Sequence, residues 1–101
     1  MAKPSLFVRA KVGDREINCN GREAQSLLAL IAAGNAGITS LDMGRAGWAI
    51  RLAAYIGDLR KMGVAIRTDR ERHVGGNHGR YTLTEPIKIV WRSDNGQQEA
   101  A

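Results

Sequence analysis

From Val8 to Val12 apolar and basic residues alternate, the two-residue period of a strand with one buried face. Gly13-Asp14 supplies a turn, and Arg15-Glu16-Ile17-Asn18-Cys19 returns as a second strand, so a β-hairpin is expected at the N-terminus. The period then lengthens. Ala24, Leu27, Leu28, Leu30 and Ile31 recur at helical spacing and predict a helix over roughly residues 21 to 33. Asn20 stands where a capping box with Glu23 would start that helix, and Gly34-Asn35-Ala36-Gly37 ends it.

Ile38 reads as a single extended residue, after which the hydroxyl of Thr39 or Ser40 can cap a short second helix through Leu41, Asp42 and Met43. Gly44 and Gly47 interrupt. Trp48 to Met62 is helical again, with Trp48, Leu52, Ile56 and Leu59 on one face, Tyr55 at its margin and Gly63 as the C-terminal stop. Val64 to Glu71 alternates like a half-buried strand and Arg80 to Leu83 forms another. Arg72 to Gly79 between them reads as a Gly-rich, basic, mobile tip. Ile87 to Trp91 predicts one more strand, beside the N-terminal hairpin. Residues 93–101 lack the apolar content to order themselves. The expected organisation is one domain over residues 1–92 and a disordered C-terminal tail over 93–101.

Helix, short helix, turn, longer helix and basic hairpin is the order of a winged helix-turn-helix. The expected fold is therefore α+β: three helices, a C-terminal wing hairpin and an additional N-terminal β-hairpin. Such a fold offers a recognition helix, here about residues 47–62, to the major groove of a duplex, and a wing, about 70–80, to a neighbouring groove or the backbone.

Charge singles out the same two elements. The 101 residues carry a formal net charge of +5. Between Arg45 and Arg80 the basic residues are Arg45, Arg51, Arg60, Lys61, Arg67, Arg70, Arg72 and Arg80, against Asp58, Asp69 and Glu71. Acids and bases balance in the remainder, so the whole surplus lies between Arg45 and Arg80, the stretch that contains the third helix and the wing. A solubilising surface would be spread more evenly, whereas an arginine-rich stretch of this kind suits an anionic polymer.

Several segments resemble a family of small winged helix domain proteins found in bacteria and their phages. They are Gly21-Arg22-Glu23-Ala24, Gly37-Ile38-Thr39-Ser40-Leu41, Arg51-Leu52-Ala53-Ala54-Tyr55-Ile56-Gly57-Asp58-Leu59-Arg60 and Gly75-Gly76-Asn77-His78-Gly79-Arg80-Tyr81. The resemblance runs from about Leu6 to Ile89. It implies the fold directly and DNA binding through the fold; most of the family has no assigned function.

Candidate DNA-contacting residues follow. Arg51, in the first turns of the long helix, can pair bidentately with guanine or hold a phosphate. Arg45 precedes that helix between two glycines, and Tyr55 lies at the margin of its apolar face. Arg70, Arg72, His73, Asn77, His78 and Arg80 belong to the wing, where neutral donors and arginines bind phosphate or enter a minor groove. Trp48 reads as core, and Arg60 and Lys61 suit a helix C-terminus whatever else they do.

Other chemistries find no support. Cys19 is the only cysteine, so no intramolecular disulfide and no thiolate cluster can form. His73 and His78 lack a third ligand nearby, and Gly75-Gly76 lacks the strand-before, helix-after setting of a phosphate loop. No nucleophile, base and orienter stand together. The expectation is a non-enzymatic protein without metal or cofactor, cytoplasmic, with no leader and no membrane span. Its partner is double-stranded DNA, bound as a transcriptional regulator or phage accessory protein, and a homodimer is expected because one recognition helix alone buries little surface and pairing of half-sites raises affinity. A winged helix acting instead as a protein-interaction module, an inhibitor or adaptor on a nucleic-acid-handling complex, stays as the alternative. Single-stranded RNA is disfavoured by an aromatic content of 5%.

Overall fold

A computed structural model describes residues 6–40, 51–73 and 76–94 of the chain, with residues 73 and 76–78 described by their backbone alone. The N-terminal hairpin forms as the alternation requires. Strand β1, Phe7–Val12, pairs antiparallel with β2, Arg15–Asn20, around Gly13, whose φ of 62° suits a residue without Cβ. Strand β5, Ile87–Arg92, takes the other edge of β1, giving a three-stranded sheet of order β2-β1-β5 with a bulge between Arg9 and Ala10. Val8, Ala10, Val12, Ile17 and Cys19 point inward and are buried.

Helix α1, Gly21–Ala33, covers that inner face and contributes Ala24, Leu27 and Leu30, each fully buried. Its start differs from expectation. Asn20 makes no side-chain capping bond, and the Gly21 N–H donates instead to the Leu6 carbonyl at 2.9 Å. Asn20 is still extended there and is the last strand residue, paired with Phe7, so alternation carries its side chain to the outer face of the sheet. The helix ends at Gly34, φ 56°, and a 3-10 turn over Gly34–Ala36 leads to Ile38. Ile38 exchanges both backbone hydrogen bonds with Tyr81, so it is a one-residue strand.

Helix α2, Leu52–Lys61, buries Leu52, Ile56 and Leu59 against α1 and the core. It closes through two reversed hydrogen bonds, Val64 N–H to the Leu59 carbonyl and Gly63 N–H to the Arg60 carbonyl, with Gly63 at φ 105°. Of the three expected helices, two are found among the described residues. The short helix expected from Thr39 to Met43 falls largely on 41–50, outside the described residues, as do Trp48 and the first turn of the third.

The wing is a longer ribbon than the sequence suggests. Strand β3, Ile66–His73, and strand β4, Gly76–Leu83, pair residue for residue from Ile66↔Leu83 to His73↔Gly76. The stretch expected as a mobile Gly-rich tip is therefore ladder up to the two-residue connection 74–75. Polarity did not prevent this, because the distal ribbon is held by backbone hydrogen bonds and needs no buried face. At its base Ile66 is buried and Tyr81 and Leu83 pack on the core. Ser93 and Asp94, expected in the tail, are tied to the sheet: the Phe7 N–H donates to Ser93 Oγ at 3.1 Å and Arg92 grips Asp94.

Candidate nucleic-acid interface

Pairing register sorts the wing's charges onto two faces. Cross-strand partners share a face and neighbours along a strand alternate. Arg67, Asp69 and Glu71 therefore lie with Arg80 and Thr82, while Thr68, Arg70 and Arg72 lie with Gly79 and Tyr81. The first face is internally neutral. Arg67 Nε donates to Asp69 at 2.9 Å, and Arg80 is paired with Glu71. The second face carries two exposed arginines, Arg70 and Arg72, with no hydrogen-bond or ion-pair partner among the described residues. Both acids of the ribbon are on the other side.

The basic face points toward α2. Arg60, near the end of that helix, donates to the Ile66 carbonyl at 2.8 Å and to Thr68 Oγ1 at 2.7 Å, and Thr68 is on the face of Arg70 and Arg72. A guanidinium bonded to neutral acceptors keeps its charge unneutralised. Arg60, Arg70 and Arg72 thus form a row running from helix to wing tip. Gly79, opposite Arg70, keeps the row flat: a Cβ there would stand 3.1 Å from Thr68 Cγ2 and 3.2 Å from the Tyr81 hydroxyl.

Arg80 has a different position from the one expected for a contact in that row. It projects from the neutral face, and its Nη1 donates to the Ala36 carbonyl at 2.9 Å while Nε holds Glu71. Gly37 closes the same junction. A Cβ there would meet Thr82 Oγ1 at 2.6 Å and the Tyr81 carbonyl at 2.7 Å, so a glycine is what lets the chain pass so close to β4. Two arginines on opposite faces, Arg60 and Arg80, brace the wing against α2 and against the turn after α1. Arg60 was missed as a brace because a cation near a helix C-terminus has a sufficient local reason to be there.

On α2, Leu52, Ile56 and Leu59 define the inward side and Ala53, Ala54, Arg60 and Lys61 are exposed. Arg51 is exposed and Tyr55 half-buried. Both border a groove shared with the start of α1, together with Arg22, Glu23 and Asp58. That flank mixes charges, unlike the row of Arg60, Arg70 and Arg72. Arg45 lies outside the described residues. Of His73, Asn77 and His78 the backbone register is described: they pair with Gly76, Arg72 and Glu71.

Residues 16–93 match the family described as Winged helix domain. The chain belongs to that family. The matched span runs from β2 through β5, so in this winged helix domain β1 alone among the strands lies outside the match. No curated protein and no solved structure matches the chain. Winged helix domains are in general DNA-binding modules. Among the described residues no group of three His, Cys, Asp or Glu could hold a metal, and no helix is long and apolar enough to cross a membrane. Cys19 is buried beneath the sheet with its thiol against Met62 Sδ at 3.7 Å. Burial, and secondarily the charge of Glu23, pushes its pKa up to about 11, so it is a poor nucleophile.

Proposed function

We propose that this winged helix domain binds double-stranded DNA, with α2 presented to the major groove and the wing laid along the adjacent backbone or minor groove. The observation that carries the reading is the segregation of charge on the wing: Arg70 and Arg72, without a partner among the described residues, on the side of α2, and the acids Asp69 and Glu71 paired on the other. A merely solubilising surface would interleave the signs. Arg51 at the start of α2 is the base-reading residue in this proposal, Tyr55 a sugar or phosphate contact beside it, and Arg45 and Asn77 supply further backbone contacts; His73 and His78 fall in register with the face of Asp69 and Glu71 and have no part in it. Arg80 acts by holding the wing at its angle. The biological role is that of a transcriptional regulator or phage accessory protein, acting as a homodimer on paired half-sites.

Fluorescence anisotropy of the protein on a random duplex at several salt concentrations tests the reading. Affinity that falls steeply and log-linearly with salt supports it. Failure to bind at about 50 mM salt, where a basic face should hold any duplex, would sink it and favour the protein-interaction alternative. The exposed Phe7, Val90 and Trp91 on the outer face of the three-stranded sheet are the observation that keeps that alternative in view.

A further inference from the structure

The outer face of the β2-β1-β5 sheet has its own chemistry. Phe7 and Trp91 are 52% and 49% exposed, and both line one cleft of about 240 Å³ with Arg9, Asn18 and Asn20. Arg9 sits between the rings: it is two residues from Phe7 on the same face and directly opposite Trp91 on β5. Its Nε donates to Asn18 Oδ1 at 3.3 Å and lies 3.9 Å from Glu16 Oε1, a loose, half-exposed ion pair that ties it toward β2 and leaves the face with two cations beyond that pair. Lys11 and Lys88 pair across β1 and β5 on that face, and Glu16 is its one acid among the described residues.

We propose that this face is a second nucleic-acid site, one that stacks the bases of single-stranded DNA on Phe7 and Trp91. Two half-exposed rings in one cleft offer planar surfaces to successive bases, Asn18 and Asn20 offer amides to base edges, and Arg9, Lys11 and Lys88 offer cations to the connecting phosphates. A low aromatic content is no obstacle to such a site, because the two large rings that are most exposed among the described residues are on the same sheet face. Charge argues against a second copy as the occupant. Two such faces in contact would bring six cations together with two carboxylates, and the exposed halves of two rings give roughly 200 Å² of apolar area, against about 800 Å² per partner in a stable complex. The choice of DNA rather than RNA rests on the duplex reading of the wing, since a strand leaving a bound duplex is the same polymer. The stacking site itself is independent of the wing.

The test uses the full chain with a fluorescent dT oligomer of about 12 nucleotides, and in parallel a duplex. Trp91→Leu and Phe7→Leu keep apolar bulk and remove a stacking plane. Each should weaken dT binding by roughly 5- to 150-fold and leave duplex affinity and its salt slope unchanged. Circular dichroism melting checks that both variants fold, and having two variants keeps the test decisive if one does not. Unchanged dT affinity in both would overturn the stacking site whether or not duplex binding survives. Tighter binding of the matching RNA oligomer would overturn the choice of DNA. A wild-type dimer in sedimentation that becomes monomeric on Trp91→Leu would assign the face to a second copy instead. Loss of duplex binding alone, with dT binding intact, would remove the proposed function and leave this site standing.

Discussion

Replacing Arg70 and Arg72 together by alanine removes two unpaired charges from the wing face that looks toward α2. Both side chains are exposed and have no partner among the described residues, so the change should alter folding stability by no more than about 0.5 kcal/mol. Its effect on duplex binding should be large. Each phosphate neutralised contributes about 0.9 to the slope of log K against log salt, so losing two flattens the slope by about 1.8. Between about 50 and 200 mM salt a slope difference of that size changes the ratio of wild-type to variant affinity roughly twelvefold. Anisotropy on a random duplex across that range reads the number directly. The control comes from the opposite face of the same ribbon: Arg67→Ala with Asp69→Ala removes an ion pair, leaves net charge unchanged and should leave the slope where it was. A slope unchanged in the Arg70 and Arg72 variant, or flattened equally by the control, would refute the assignment of the DNA face.

Further outcomes follow from other parts of the molecule. Arg51→Ala should reduce binding to a selected site more than to random duplex, by roughly 1–3 kcal/mol in discrimination; equal losses on both would reduce Arg51 to a phosphate contact. Gly34→Ala and Gly37→Ala both force alanine to a positive φ, but the first Cβ meets open space and the second meets Thr82 and the Tyr81 backbone. Gly34→Ala should therefore cost about 1–2 kcal/mol and Gly37→Ala a further 1–3, read by thermal melting. Ile56→Ala in the fully buried core should cost about 2–5 kcal/mol, a large share of a small domain's stability. Cys19 binds its proton more tightly in the native state, with pKa about 11 against 9.0 when unfolded. Its contribution is thus complete below pH 9.0 and lost as pH rises toward about 11. The melting temperature of Cys19→Ala should fall less than that of the wild type across this window, and parallel curves would show that the thiol does not titrate there.

Local signals in the sequence settled most elements. Alternation at Val8 to Val12, the stripe Ala24, Leu27 and Leu30, and the stop at Gly63 each act over a few residues, so the chain's own period and glycine placement determined β1, α1 and the end of α2. The winged order and the concentration of arginine in one third of the chain were legible for the same reason. What tertiary structure decided was which side of a strand each charge occupies relative to its neighbours. A row of arginines and acids in β3 reads as one basic stretch, but register with β4 puts Arg80 with Asp69 and Glu71 and isolates Arg70 and Arg72 with Gly79. The capping box failed because pairing with Phe7 turns the Asn20 side chain to the outer face of the sheet and Gly21 follows it at a φ of 58°, which is not helical, and the expected tip became ladder because backbone pairing does not require apolar side chains. Arg60 and Arg80 became braces through contacts with Thr68 and Ala36, partners that only folding brings within reach. Period and turn chemistry are properties of neighbouring residues and can be read along the chain; register, pairing and exposure depend on which distant segments meet.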